Sequence, residues 1–180
     1  MRKNIHIESL YDKLKSILSD NFMGVMIECC ALRLTMQGHY APVDIMPFND
    51  SRNLLTESLK LRWITEITPN IVASYRDENR TTDYAAMCIA LILSAELLDF
   101  DDIEVSRQGD GVDFWFTQKD KTNAIARLEV SGINTATKMN SVASRLKMKL
   151  TQTSQSDNSG VPAYISIIEF SQPQALYILK

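Results

Sequence analysis

The most constraining stretch of the chain is DYAAMCIALILSAELL, residues 83–98, which carries apolar side chains on nearly every side. A helix over about Thr82–Leu98 has little polar face to offer water, so it is expected to lie buried against a sheet. Its apolar run, Ala85–Leu93, falls far short of the ~20 residues that span a bilayer. After residue 101 the hydrophobic period drops to two. Val112, Phe114 and Phe116 alternate with Asp113, Trp115 and Thr117; Ala124, Ala126, Leu128 and Val130 alternate with Ile125, Arg127, Glu129 and Ser131. With QKDKTN between them, the two segments read as a hairpin. Ile103–Ser106 adds a third strand, and Gly109 and Gly111 bracket Asp110 as a turn or bulge. Gly132 and Asn134 are expected to end the second hairpin strand. A helix over Met139–Thr151, a polar loop over Ser154–Gly160 and strands over Tyr164–Phe170 and Ala175–Leu179 complete this half.

The first half reads as mostly helical. Leu10, Leu14 and Ile17 mark an amphipathic helix over Ile7–Leu18. Phe22–Met36 is a second, more apolar one, capped by Asp20 or Asn21 and stopped near Gly38, with a strand over part of the segment as the alternative. HYAPVDIMPFND, with Pro42 and Pro47, is a loop with one short extended piece. Asp50 or Ser51 is expected to cap a helix reaching about Glu66, with Leu54, Leu55, Leu59 and Trp63 inward, and Thr68-Pro69-Asn70 to end it. SYRDENRTTD is the expected linker. The reading is a single α/β domain of 180 residues, a mixed central sheet flanked by helices, with residues 1–75 as a helical extension and 80–180 as the core.

Composition narrows the function classes. Nineteen Lys+Arg against 22 Asp+Glu give a net charge of −3, which argues against a uniformly basic surface and leaves room only for a local nucleic-acid-binding patch. Cys29, Cys30 and Cys88 include no CxxC pair and are expected as buried small hydrophobes. The charged N-terminal MRKNIHIESLYDK has no signal-peptide core, so a cytoplasmic location and no membrane partner are expected. His6 and His39 have no ligand spacing. No phosphate-binding Walker loop, dinucleotide turn or nucleophile elbow is present, and Ser131 has no nearby histidine to activate it.

The hairpin carries the chemistry. If its loop centres near residue 121, Trp115 faces Arg127 and Asp113 faces Glu129, so the two carboxylates share one face about 5 Å apart at Cβ. Two like charges that close need a cation or a shared proton. Mg²⁺ suits hard oxygen ligands and commonly joins one or two carboxylates to a substrate phosphate. The competing reading is a solvated edge in which Arg127 neutralises either acid. Trp115 could stack on a base or pack under a helix.

GDGVDFWF followed by ARLEVSGI resembles the acidic hairpin of the PD-(D/E)xK, or restriction-endonuclease-like, nuclease superfamily, over roughly residues 80–180. The resemblance implies a core order of helix, three strands, helix, strand. It implies Asp113 as the first acid and Glu129-Val130-Ser131 in place of the ExK motif, with Mg²⁺ or Mn²⁺ as cofactor. Asp83 on the preceding helix matches an additional metal-binding acid, although it could equally cap that helix. One departure matters: Ser131 stands where the motif has lysine. Some members carry that lysine on the following helix, where Lys138, Lys147 and Lys149 are candidates. Arg145, Lys149 and Gln152 share one face of that helix, and Lys149 or Arg145 could take over phosphate stabilisation while Ser131 lines the site. Two functions follow from the resemblance: a metal-dependent nuclease acting on nucleic acid, favoured by Asp113 and Glu129, and a catalytically inactive adaptor or structural subunit binding a protein partner or a second copy, favoured by the missing lysine.

Overall fold

The computed structural model describes residues 3–119 and 123–180; the middle of the expected hairpin loop, 120–122, lies outside the described residues. The fold is α/β, an eight-stranded mixed sheet with helices on both faces. In chain order the elements are β1 (Lys3–His6), α1 (Ser9–Lys13), α2 (Asp20–Met36), β2 (Val43–Pro47), β3 (Leu59–Arg62), α3 (Pro69–Ser74), α4 (Glu78–Leu97), β4 (Asp102–Val105), β5 (Phe114–Thr117), β6 (Ala126–Ile133), α5 (Val142–Thr153), a 3-10 turn (Ser154–Ser159), β7 (Ala163–Glu169) and β8 (Gln174–Leu179). The strands lie in the order β1-β3-β2-β8-β7-β6-β5-β4. β4, β5 and β6 form an antiparallel meander, and α5 carries the chain from β6 to the parallel strand β7. Beyond residue 77 the chain therefore runs helix, three strands, helix, 3-10 turn and two strands, the order of elements expected from the sequence with a 3-10 turn in place of the polar loop.

The apolar helix α4 packs with α2 on one face of the sheet. Ala85, Ala86, Cys88, Ile89 and Ile92 meet Phe114, Phe116, Leu128 and Val130 in one cluster. Helix α5 covers part of the other face, where Val142 and Leu146 meet Ile133, Ile165, Ile167, Leu176 and Ile178. All three cysteines are free and buried. Among the described residues, no helix is long and apolar enough to cross a membrane.

The N-terminal half departs from its sequence reading. The helix expected from Asp50 to Glu66 does not form. Asp50 accepts the Arg52 amide at 2.9 Å and grips the Arg52 guanidinium, closing a turn instead. Asn53 Nδ2 donates to the Phe48 and Ala175 carbonyls at 3.0 and 3.1 Å, pinning an irregular segment to β8. Leu59 and Leu61 then alternate with Lys60 and Arg62 as β3, a period-two signal hidden inside a longer leucine spacing. Thr68-Pro69 starts α3 rather than ending a helix: Pro69 needs no amide partner in the first turn, and Thr68 Oγ1 accepts from Ile71. Residues 1–75 thus add three strands to the common sheet as well as helices. The expected Ile7–Leu18 helix is a five-residue turn of helix, with Ser16 at φ +70° beyond it. Ser19, rather than Asp20 or Asn21, caps α2.

Candidate functional site

The ladder places Trp115 opposite Arg127 and ends at Phe114 opposite Leu128. One step further, the Asp113 side chain takes over: its Oδ2 accepts the Val130 amide at 2.7 Å. The sheet pleat puts Asp113, Glu129 and Ser131 on the α5 face, because Phe114, Leu128 and Val130 occupy the α4 face. The two acids therefore share one side of the sheet. Arg127 does not neutralise either of them. Its guanidinium donates to the Val161 and Thr153 carbonyls at 3.0 and 3.2 Å and to Asp157 at 2.6 Å, fastening the 3-10 turn to the sheet.

Two glycines let the supporting elements close around this point. A Cβ on Gly132, inside β6, would sit well within contact distance of the Thr82 carbonyl oxygen, so only glycine allows α4 to approach β6 here. β6 does not break at Gly132 as expected, because its pairing with β7 continues through Gly132 opposite Ile168 and Ile133 opposite Glu169. Gly111, at φ +71°, brings the β4–β5 loop against the end of α5, where a Cβ would lie 2.5 Å from the Gln152 carbonyl oxygen. The helix–strand contact sets Asp83 beside β6, and the loop–helix contact sets Asp113 beside Gln152.

Lys149 completes the group. Its ammonium donates to Glu129 Oε1 and, at 3.0 Å, to Gln152 Oε1; Gln152 Nε2 donates to the same Glu129 oxygen at 2.9 Å. Glu129 is only 1% exposed, and its Oε2 is buried without a partner. Burial, reinforced by the charge of Asp113, raises the Glu129 carboxyl to about 7 against the pull of Lys149 and Gln152. Asp113 is raised as well, by desolvation first and by Asp83, while the Val130 amide and Lys149 lower it. Asp83 keeps exposed surface, yet desolvation by the cleft walls raises its carboxyl, opposed by the Gly132 amide, Lys149 and Arg145. One ammonium therefore acts on all three carboxyls.

Asp83 does not cap α4. That role belongs to Asp77, whose Oδ1 accepts the Arg80 amide at 3.1 Å, so that the helix starts at Glu78, four residues ahead of the start expected from the sequence. Asp83 instead opens on a polar cleft of about 570 Å³ that also holds Arg145, Asn79, Asn134 and Asn140. Arg145 is oriented by Asn140 Oδ1, which accepts from its Nη2 at 2.6 Å. Ser131 is buried, 2% exposed, on the Glu129 face. Lys138 and Lys147 are exposed and lie outside the group. Trp115 is half-buried, with its indole N–H donating to Asp110 Oδ2 at 3.3 Å, and lines a different cleft at the β4–β5 edge. Gln152 was visible in the sequence only as a neighbour on the Lys149 face; its carboxylate contact comes from the tertiary packing.

Among the described residues, no group of three or more His, Cys, Asp or Glu side chains is gathered tightly enough to hold a metal ion by itself. The donor set at Asp113 and Glu129 is nonetheless hard oxygen, with one buried oxygen unpartnered. That fits an ion held by two carboxylates and completed by water and phosphate oxygens rather than a closed protein cage. Comparison of the chain with protein-family models, with curated proteins and with solved structures returned no match.

Proposed function

We propose that the protein is a metal-dependent nuclease-like hydrolase of nucleic-acid phosphodiesters, a divergent relative of the PD-(D/E)xK superfamily. The observation that carries this reading is the Lys149 ammonium reaching Glu129 from α5, which would supply the cation that Ser131 cannot. Asp113 and Glu129 would hold Mg²⁺ or Mn²⁺, with Asp83 assisting from α4. When bound, such an ion polarises a phosphoryl oxygen and makes a coordinated water more acidic.

The protein's own groups have distinct parts. Lys149 offsets charge on the scissile phosphate and holds Glu129 in place. Glu129, whose carboxyl is raised to about 7 by burial, would give up its proton near neutrality as an ion binds. Val130 and Gln152 orient the two acids. Arg145, in the polar cleft, would meet a neighbouring phosphate.

The test is cleavage of single-stranded and duplex DNA and RNA with Mg²⁺ or Mn²⁺. Asp113→Asn is expected to abolish cutting, and Lys149→Ala to slow it by about 10²–10³-fold, the usual effect of losing one transition-state charge partner. A second reading, an inactive adaptor on the same fold, is favoured by the ion pair that already satisfies one Glu129 oxygen. Calorimetric silence toward both metals together with no cleavage would decide for it.

A further inference from the structure

A second cleft of about 350 Å³, within the size range of small-ligand pockets, lies between α2, α4 and the β4–β5 loop. One wall is aromatic and apolar, and the other is polar, with Gln108 and Gln152. Phe22 from α2 and Tyr84 from α4 meet edge to face, with ring centroids 6.2 Å apart, and Met87 lies one helical turn beyond Tyr84. Val105 closes it from the edge strand β4 with 57% of its surface exposed, and Arg107 stands exposed at the rim. Ser106 Oγ, on a lining residue, is buried without a hydrogen-bond partner. Asp113 itself is part of the wall.

We infer that this cleft receives one unpaired nucleobase next to the scissile phosphate, so that the substrate is single-stranded or locally unpaired nucleic acid. The inference rests on the phosphodiester reading and names the substrate class for the same site. A flat aromatic wall takes any base by stacking. Gln108, another lining residue, offers an amide donor and acceptor to a base edge, and Arg107 offers a cation to the backbone outside. A base inside a duplex is covered on both faces by its neighbours and cannot enter such a cleft without leaving the stack.

The experiment measures anisotropy of a labelled twelve-nucleotide thymidine strand and of a hairpin duplex, with Ca²⁺ present, alongside Mg²⁺-dependent cleavage of both. The variants are Tyr84→Ala and Val105→Trp. The second fills the cleft from an exposed position on a strand, where tryptophan is tolerated, and so keeps the test sound if Tyr84→Ala fails to fold. The wild type is expected to bind and cut the single strand in preference to the duplex. Either folded variant should weaken single-strand binding by about tenfold or more, the effect of one stacked base. Equal binding and cutting of both forms, with Val105→Trp indifferent, would overturn the inference and leave the hydrolase reading standing. No binding and no cleavage of either form would overturn both.

Discussion

Replacing Lys149 by methionine removes the ammonium and keeps most of the packing volume. It leaves Glu129, 1% exposed, with Gln152 as its remaining side-chain donor. Breaking a buried pair from one side costs about 3–5 kcal/mol when the abandoned charge must stay ionised. Glu129 has an escape, because it can bind a proton. Its carboxyl stands at about 7 in the folded protein against 4.5 as an ordinary glutamate. A raised carboxyl contributes stability that is fully present below the unfolded value and is lost as pH climbs through the folded value. In the wild type this loss amounts to roughly 3 kcal/mol across that window. Without Lys149 the folded value rises further, so the loss continues above pH 7. Lys149→Met is therefore expected to cost about 1 kcal/mol at pH 5, where a neutral Glu129 loses only a hydrogen bond. The cost should grow to about 3 kcal/mol or more at pH 9. Urea unfolding at pH 5, 7 and 9, followed by tryptophan fluorescence, measures this directly. A penalty equal at pH 5 and pH 9 would refute the reasoning. So would a Lys149→Met/Glu129→Gln double variant as destabilised at pH 9 as the single one, since the double carries no abandoned charge.

Other expectations follow from the same geometry. Gly132→Ala should lower stability by about 1–3 kcal/mol, because its methyl group meets the Thr82 backbone, which cannot rotate away; thermal unfolding reads this. Asp77→Ala should cost about 1 kcal/mol by removing the α4 cap, whereas Asp83→Asn should leave stability unchanged or raised at pH 8 while impairing cleavage. If Mg²⁺ engages Glu129, binding at pH 7 should release about half a proton and tighten between pH 6 and pH 8; calorimetry in buffers of different ionisation enthalpy separates this from proton-neutral binding.

Local patterning made much of this protein legible. The unbroken apolar surface of α4 requires burial wherever it sits, and period-two alternation defines β5 and β6 with their two faces. Counting residues through the hairpin was enough to pair Trp115 with Arg127 and so to set Asp113 toward Glu129. The long helix expected over 50–66 failed because Leu54, Leu55 and Leu59 satisfy a helical spacing that is broken by contacts remote in sequence, those of Asn53 with β8.

The local code settled which side chains face together along a strand or a helix, since those periods follow from backbone geometry alone. It left open which of several lysines meets the acids and whether Arg127 neutralises them. It also gave no sign that Gly111 and Gly132 are the points where a loop and a helix close in. Those are questions of distance between segments far apart in the chain, and only packing in three dimensions answers them.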